Sequence, residues 1–388
     1  MPAHGNGGVN LAKLRHWLPW PIAVVVAGMI VRADAALGAL QPVHLDPLVL
    51  GYFLPALIFE AAWDFDAALL RPTAAPILVL AIPGAFMTTA VVAAGVVLSG
   101  TLQWLPALVL GAMVSATDPV AVLAMFRRLH MPQALLAIVE GESVANDGVA
   151  VVLVQALVAL VVGGAAVGII GAFSRMLLIS LGGIGVGMAL AVPLGLSLRR
   201  LRGRWAHAGV TVVIAYGSYA LAQALGFSGI FASVAAGLAA PAFAGYAGRT
   251  DPTRQRVERF WDVVAIAANA VVFFLVGLNL HLDAIARAPL LCSAAVVSVL
   301  VARALLAYVL VPLRSLTGAP GPWRHVIALA GLRGGLSLAL ALGLPLAFPQ
   351  RAGILYATVA IVFATLVVQG LLTPRLVQLL APADSAAR

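Results

Sequence analysis

The chain has 388 residues, 63% of them hydrophobic and only 10% charged, with a mean hydropathy of +1.07. Soluble globular chains carry about 25% charged residues, so a water-soluble domain is excluded. The net charge of +9 suggests a polyanion partner, but the basic residues stand singly or in short groups between apolar runs, and no soluble basic domain exists to hold a nucleic acid. Cys292 is the one cysteine and lies in an apolar run, which leaves no disulfide framework and no thiolate metal cluster.

Apolar runs of about 20 residues, enough to cross hydrocarbon, predict about twelve membrane helices. They fall at 17–33, 45–63, 73–99, 104–126, 133–162, 168–198, 207–225, 229–247, 258–280, 284–313, 323–346 and 353–379. The first lacks a small-residue cleavage site and is read as a membrane helix, not a signal peptide. Segment 168–198 is long for one crossing and fits a tilt or an interfacial extension. The most polar connector is 248–259. With the N-terminus in the cytoplasm, the cytoplasmic connectors hold seventeen of the 23 basic residues, and the opposite side holds Arg32, Arg287 and Arg351. That asymmetry predicts a multi-pass inner-membrane protein with both termini cytoplasmic. Arg175, Arg303 and Arg333 fall within spans.

Two spans are interrupted alike. The fourth carries Ser115-Ala116-Thr117-Asp118-Pro119, and the eleventh carries Gly331-Leu332-Arg333-Gly334-Gly335. Proline removes a backbone donor and paired glycines weaken a helix. Broken helices in corresponding places of two halves point to a transporter's binding site. The two lie seven crossings apart and so run in opposite directions, as an inverted repeat requires. The expected organisation is a single membrane domain over 1–388, with a first repeat at 1–163, connecting helices at 164–228 and a second repeat at 229–380.

Segment 133–162 contains Glu140-Gly141-Glu142-Ser143-Val144-Ala145-Asn146-Asp147. A carboxylate at mid-bilayer costs at least ~2.5–3.5 kcal/mol, so three in one octet imply an ion or proton path. Helical spacing puts Glu140, Ser143 and Asp147 on one stripe, and Glu142 and Asn146 on its neighbour. Hard cations such as sodium prefer oxygen ligands. Asp147, Ser143, Asp118 and Thr117, the last through a carbonyl freed at the break, are therefore candidate cation ligands. Asp118 and Arg333 also have the signs needed to offset opposing helix ends. Arg303 lies deep in the tenth span and needs an acidic partner; Glu142 is the expected one, in a structural pair. Glu60, at the end of the second span, either lines an access funnel or snorkels to the interface. Glu140 is left without an assignment. His16, His44, His130, His207, His281 and His325 lie in or beside connectors and read as interfacial. Glycines 182–187 read as close helix packing. No nucleophile–base set, HExxH or phosphate-binding glycine loop occurs, so neither an enzyme nor a nucleotide-binding protein is expected, and no cofactor.

Thr117-Asp118-Pro119-Val120-Ala121-Val122, then Glu140-Gly141-Glu142-Ser143 and Asn146-Asp147-Gly148, resembles the monovalent cation:proton antiporter family of bacterial NhaP proteins and sodium/proton exchangers. Leu54-Pro55-Ala56-Leu57-Ile58-Phe59-Glu60, Phe273-Phe274-Leu275-Val276-Gly277-Leu278 and Gly331-Leu332-Arg333-Gly334-Gly335-Leu336-Ser337 are similar to further signatures of that family. The resemblance runs in order from about residue 20 to 380. It implies a homodimer with a dimerisation domain and a mobile core, in contact with membrane lipid. It implies that Asp147 binds ion and proton in turn, helped by Thr117, Asp118 and Ser143, with Glu60 near the cytoplasmic path and Glu142–Arg303 as a buried ion pair. Asn146 before Asp147 matches the electroneutral branch. Many relatives have thirteen helices; by this count the one preceding Trp17 is missing, as is the long cytoplasmic tail of many exchangers. The implied activity is exchange of sodium, or lithium or potassium, for protons. The alternative is a potassium-efflux protein or cation channel of related fold.

Overall fold

Among the described residues every regular element is a helix, as lipid requires of a chain whose backbone groups find no solvent partner. The computed structural model describes residues 20–33, 49–65, 67–128, 131–163, 169–201, 205–246, 251–279, 282–310 and 323–373. The helices are α1 (Trp20–Ala33), α2 (Leu54–Asp64, entered through a π-turn at Val49–Phe53), α3 (Ala67–Leu98), α4 (Trp104–Met113), α5 (Val120–Arg128), α6 (Gln133–Gly163), α7 (Ile169–Leu198) and α8 (Ala206–Ala224). They continue with α9 (Gly229–Phe243), α10 (Pro252–Asn279), α11 (Leu282–Arg287), α12 (Pro289–Leu305, extended by a π-turn at Leu306–Leu310), α13 (Trp323–Leu329), α14 (Gly335–Leu342) and α15 (Arg351–Phe363, then a π-turn at Ala364–Gln369). Six described helical stretches are long and apolar enough to cross a membrane unaided: Pro72–Leu98, Gln133–Val161, Ser174–Leu198, Pro252–Leu278, Pro289–Leu310 and Arg351–Thr373. Shorter or interrupted helices occupy the other expected spans.

Two groups of helices emerge from the packing. In one, α1, α2, α7, α8, α9 and α10 lie chiefly against each other; in the other, α3, α4, α6, α12, α14 and α15 do so. The first group is centred on Phe59, Trp63, Ile214, Ala236 and Trp261, which are all buried. Phe59 sits between the two indoles, with centroids 5.7 Å from Trp63 and 4.9 Å from Trp261, and Trp261 Nε1 donates to Thr211 Oγ1 at 3.0 Å. Van der Waals fit matters here because lipid tails are as apolar as leucine and give no hydrophobic drive for helix association. Small residues supply that fit on α7, as the sequence suggested. A Cβ on Gly183 would strike the Ser228 carbonyl, and one on Gly187 would strike the Ala232 backbone of α9. The long segment at 168–198 is one continuous helix, Ile169–Leu198.

Several boundaries differ from those expected. Helix α10 begins at Pro252, not near 258, so most of the polar 248–259 connector is helical. Asp251 Oδ1 accepts from Thr253 N (2.7 Å) and Arg254 N (3.2 Å), and Arg254 reaches Glu258 at 2.8 Å one turn on. These N-terminal contacts sustain a helix that hydropathy alone does not mark. Likewise α3 starts at Ala67, before its apolar run, and α14 stops at Leu342. The tenth expected span is divided into a short α11 and a longer α12, which opens at Pro289. His207 is buried rather than interfacial: its ring nitrogens face Tyr246 Oη at 3.2 Å and the Leu201 carbonyl at 3.3 Å. His16, His44, His130 and His281 lie outside the described residues, as do the expected connectors at 1–16 and 314–322.

Candidate functional site

The fourth and eleventh expected spans both break, and the breaks meet. Helix α4 ends at Met113, and α5 starts at Val120; between them Ala116–Pro119 are neither helix nor turn. Helix α13 ends at Leu329 and α14 starts at Gly335. Asp118 N donates to the Leu332 carbonyl at 2.9 Å, joining one break to the other by a backbone hydrogen bond. Breaking two helices leaves orphan carbonyls and amides, which must be satisfied inside the protein. Arg333 does this for the end of α4: its Nη1 donates to the carbonyls of Ser115 (3.3 Å) and Ala116 (3.2 Å), while Ser337 Oγ donates to Met113 O at 3.0 Å. The guanidinium is 1% exposed. Its positive charge faces the negative end of α4, and Asp118 takes the complementary place at the start of α5, where its Oδ1 accepts from Val120 N at 3.2 Å. Asp118 also abuts Gly334, just ahead of α14, where a Cβ would strike its carboxylate. The approach of the two chains requires glycine there.

Helix α6 passes beside this crossing and presents its two stripes as the spacing predicted. Ser143 Oγ donates to the Thr117 carbonyl at 2.5 Å. Asn146 grips the same residue twice, donating from Nδ2 to Thr117 Oγ1 at 2.8 Å and accepting from Thr117 N at 3.4 Å. The Thr117 carbonyl freed by the break is therefore already engaged by Ser143. On the same stripe as Asn146, Glu142, 1% exposed, receives both terminal nitrogens of Arg303, 4% exposed, with Nη2 on Oε2 at 3.2 Å and Nη1 on Oε1. Arg303 Nε donates to Ile327 O at 2.9 Å. The expected pair is thus present, and it ties α6 to α12 and α13.

The first stripe faces a cavity of about 140 Å³ between the two helix groups. Its walls include Thr117, Asp118, Ser143 and Asp147, all expected at the site, together with Glu60 from α2. Oδ1 of Asp147 is buried and, among the described residues, has no hydrogen-bond partner. Glu142, Asn146, Arg303 and Arg333 do not line the cavity; they hold the residues that do. Of the two readings for Glu60, the funnel-lining one agrees with its place in the wall. Near it, the carboxylate oxygens of Glu60, Asp64 and Asp262 lie within 4.8 Å of one another, the one such acidic group among the described residues. Glu140 also lines the cavity and lies 4.0 Å from Arg127, which gives the unassigned carboxylate a place at the rim.

Two polar wall residues were not expected at the site from the sequence: Asn269 of α10 and Ser337 of α14. Asn269 had a signal, being a lone amide inside Ala265-Ile266-Ala267-Ala268-Asn269-Ala270-Val271, since polar groups at membrane depth mark pathways. Asp262 carried a similar signal, being a carboxylate inside the expected 258–280 span, close to its polar start. Chemically the cavity offers carboxylate, hydroxyl and amide oxygens, a set suited to a hard monovalent cation or a proton. Among the described residues it holds no nucleophile–base pair.

A sequence profile described as the transmembrane sodium/hydrogen exchanger matches residues 6–379. The chain is 33% identical over 360 residues to the Na(+)/H(+) antiporter ApNhaP of Aphanothece halophytica, which covers 91% of this chain and 68% of that protein. It is also 33% identical over 384 residues to the Na(+)/H(+) antiporter NhaG of Bacillus atrophaeus, covering 91% and 69%. Among solved structures, the sodium proton antiporter MjNhaP1 of Methanocaldococcus jannaschii at pH 8 superposes with a TM-score of 0.74 over 93% of this chain and 95% of that one, at 18% identity. At that identity the likeness is one of fold.

Proposed function

This chain belongs to the sodium/hydrogen exchanger family and is a membrane antiporter of sodium, or a related cation, against protons, and we propose that both ligands compete for one site at Asp147. The observation that carries this reading is the unpartnered, buried Oδ1 of Asp147 in a cavity shared with Thr117, Asp118 and Ser143. Burial disfavours a bare carboxylate, and carrying an uncompensated charge through the membrane interior costs several kcal/mol. The loaded site moves when Asp147 is neutralised, by a proton or by a cation, and stalls when it is bare. Obligatory exchange follows from that one penalty.

In this reading Ser143 and Thr117 supply neutral oxygens to the cation, and Asp118 a second, helix-capped carboxylate. Asn146 is an amide and adds no second mobile proton, so exchange is one for one and electroneutral, with sodium the preferred cation. The helices around α3, α4, α6, α12 and α14 move as a core against the other group, which pairs two copies into a homodimer. The two broken helices belong to inverted repeats within about twelve crossings, and both termini face the cytoplasm. The cavity mouth, with Glu60, Asp64 and Asp262, opens to that side, where its negative charge concentrates cations.

Asp147→Asn in proteoliposomes is expected to abolish cation-driven dissipation of a pH gradient while the protein stays folded in gel filtration. Retained sodium-dependent dissipation would refute the site. Run in turn with sodium, lithium and potassium, and with and without a membrane potential, the same assay tests selectivity and stoichiometry. Net current without proton coupling would favour a channel or potassium-efflux protein.

A further inference from the structure

Arg175 is the one charged residue between Asp147 and Arg199. It lies in α7, two turns from the helix start, and is exposed. It is one wall of a second cavity, of about 120 Å³, between α6 and α7. Val152, Gln155, Ala156 and Ala159 form the α6 wall at i, i+3, i+4 and i+7; Arg175, Met176 and Ile179 form the α7 wall. The pocket is thus an apolar slot with two polar side chains. Among the described residues, neither Arg175 nor Gln155 has a hydrogen-bond or ion-pair partner. Around them α7 presents Leu177, Leu178, Leu181 and Ile184 outward, the surface that a lipid-facing helix shows.

We propose that this slot is a binding site for one anionic phospholipid, with the phosphate on Arg175 and Gln155 and the start of an acyl chain against Val152, Ala156 and Met176. A guanidinium at the end of a membrane span, as Arg175 is, seeks an anion or water, and its planar fork matches phosphate oxygens. The Gln155 amide adds a donor that an arginine merely snorkelling to water does not need. Apolar walls on both helices select a lipid over a free anion. The site lies about 12 Å along α6 from Asp147, by eight residues of helical rise. It also bridges the two helix groups, so a seated lipid clips α6 to α7.

Native mass spectrometry of the purified full chain, titrated with phosphatidylglycerol, tests the assignment. The wild type is expected to retain one tightly held lipid. Arg175→Gln is expected to weaken it roughly tenfold, as for a lost charge-assisted contact, with Arg175→Lys intermediate and Gln155→Leu weaker than wild type. Added phosphatidylglycerol should raise the thermal midpoint of the wild type and leave that of Arg175→Gln unmoved. Phosphatidylcholine and glycerol phosphate are the control ligands, and neither should compete. Unchanged lipid binding in Arg175→Gln overturns the proposal. So does equal competition by glycerol phosphate, which makes the site one for a free anion, or by phosphatidylcholine, which makes it a non-selective lipid groove. These readouts need no transport, so they stand apart from the fate of the Asp147 reading.

Discussion

Replacing Arg303 by methionine removes one half of the buried pair that fastens α6 to the second broken helix. Glu142 is 1% exposed and Arg303 4%, so water cannot substitute for the lost partner. Removing one partner of a buried pair costs about 3–5 kcal/mol because the remaining charge is orphaned. The Ile327 carbonyl also loses one of its two donors, Arg303 Nε at 2.9 Å, for about 1 kcal/mol more. The sum, roughly 4–6 kcal/mol, is comparable to the whole stability of many domains. Replacing both residues, Glu142→Met with Arg303→Met, removes both charges, and apolar replacement of a buried pair is often neutral or better. The double variant should therefore recover most of the loss, leaving chiefly the missing Arg303 Nε bond to the Ile327 carbonyl, which keeps the Ala330 amide at 3.2 Å. Equilibrium unfolding in mixed micelles, followed by tryptophan fluorescence, gives the four corners of the cycle. The expected order is wild type close to the double variant, with both single variants well below. A single Arg303→Met variant as stable as wild type, or a double variant no better than the singles, would refute the reasoning.

Three further outcomes follow from the same geometry. Gly334→Ala puts a methyl into the Asp118 carboxylate and is expected to cut exchange at least tenfold; proteoliposomes of this variant with wild-type turnover would show that the crossing is loose. Asn146→Ala removes the 2.8 Å bond to Thr117 Oγ1 and is expected to raise the apparent KM for sodium about five- to tenfold, the equivalent of ~1–1.5 kcal/mol; an unchanged KM would remove Asn146 from the positioning of Thr117. Asp262→Asn at the mouth should raise KM about twofold at low ionic strength and less in high salt; a salt-independent effect would mean that the carboxylate acts by contact and not by its field.

How far the sequence reached can be judged on α6. Its octet lies in an uninterrupted helix of 31 residues, so 3.6-residue periodicity sorted Glu140, Ser143 and Asp147 to the cavity and Glu142 to the opposite duty. The partner of Glu142 was also legible, because Arg303 is one of three basic residues that belong to no connector and lies deep in its expected span. Asn269 and Ser337 were not singled out, since one amide or hydroxyl in an apolar run also packs without any ligand. The start of α10 was misplaced because hydropathy reports where lipid begins, whereas Asp251 and the Arg254–Glu258 pair decide where the helix begins.

Composition, periodicity and the two interruptions determined by themselves that this is an all-helical membrane protein with carboxylates inside its spans. These are local properties: each is set by the chain within a few turns and by the lipid's refusal to solvate a backbone. Tertiary structure decided that the breaks cross, that Arg333 serves α4 rather than its own helix, and that the Thr117 carbonyl is held by Ser143. It alone brought Glu60 and Asn269 from the other helix group to the same cavity. Such contacts join residues tens to hundreds of positions apart, and their energies depend on distances of a few ångströms, which no local pattern encodes.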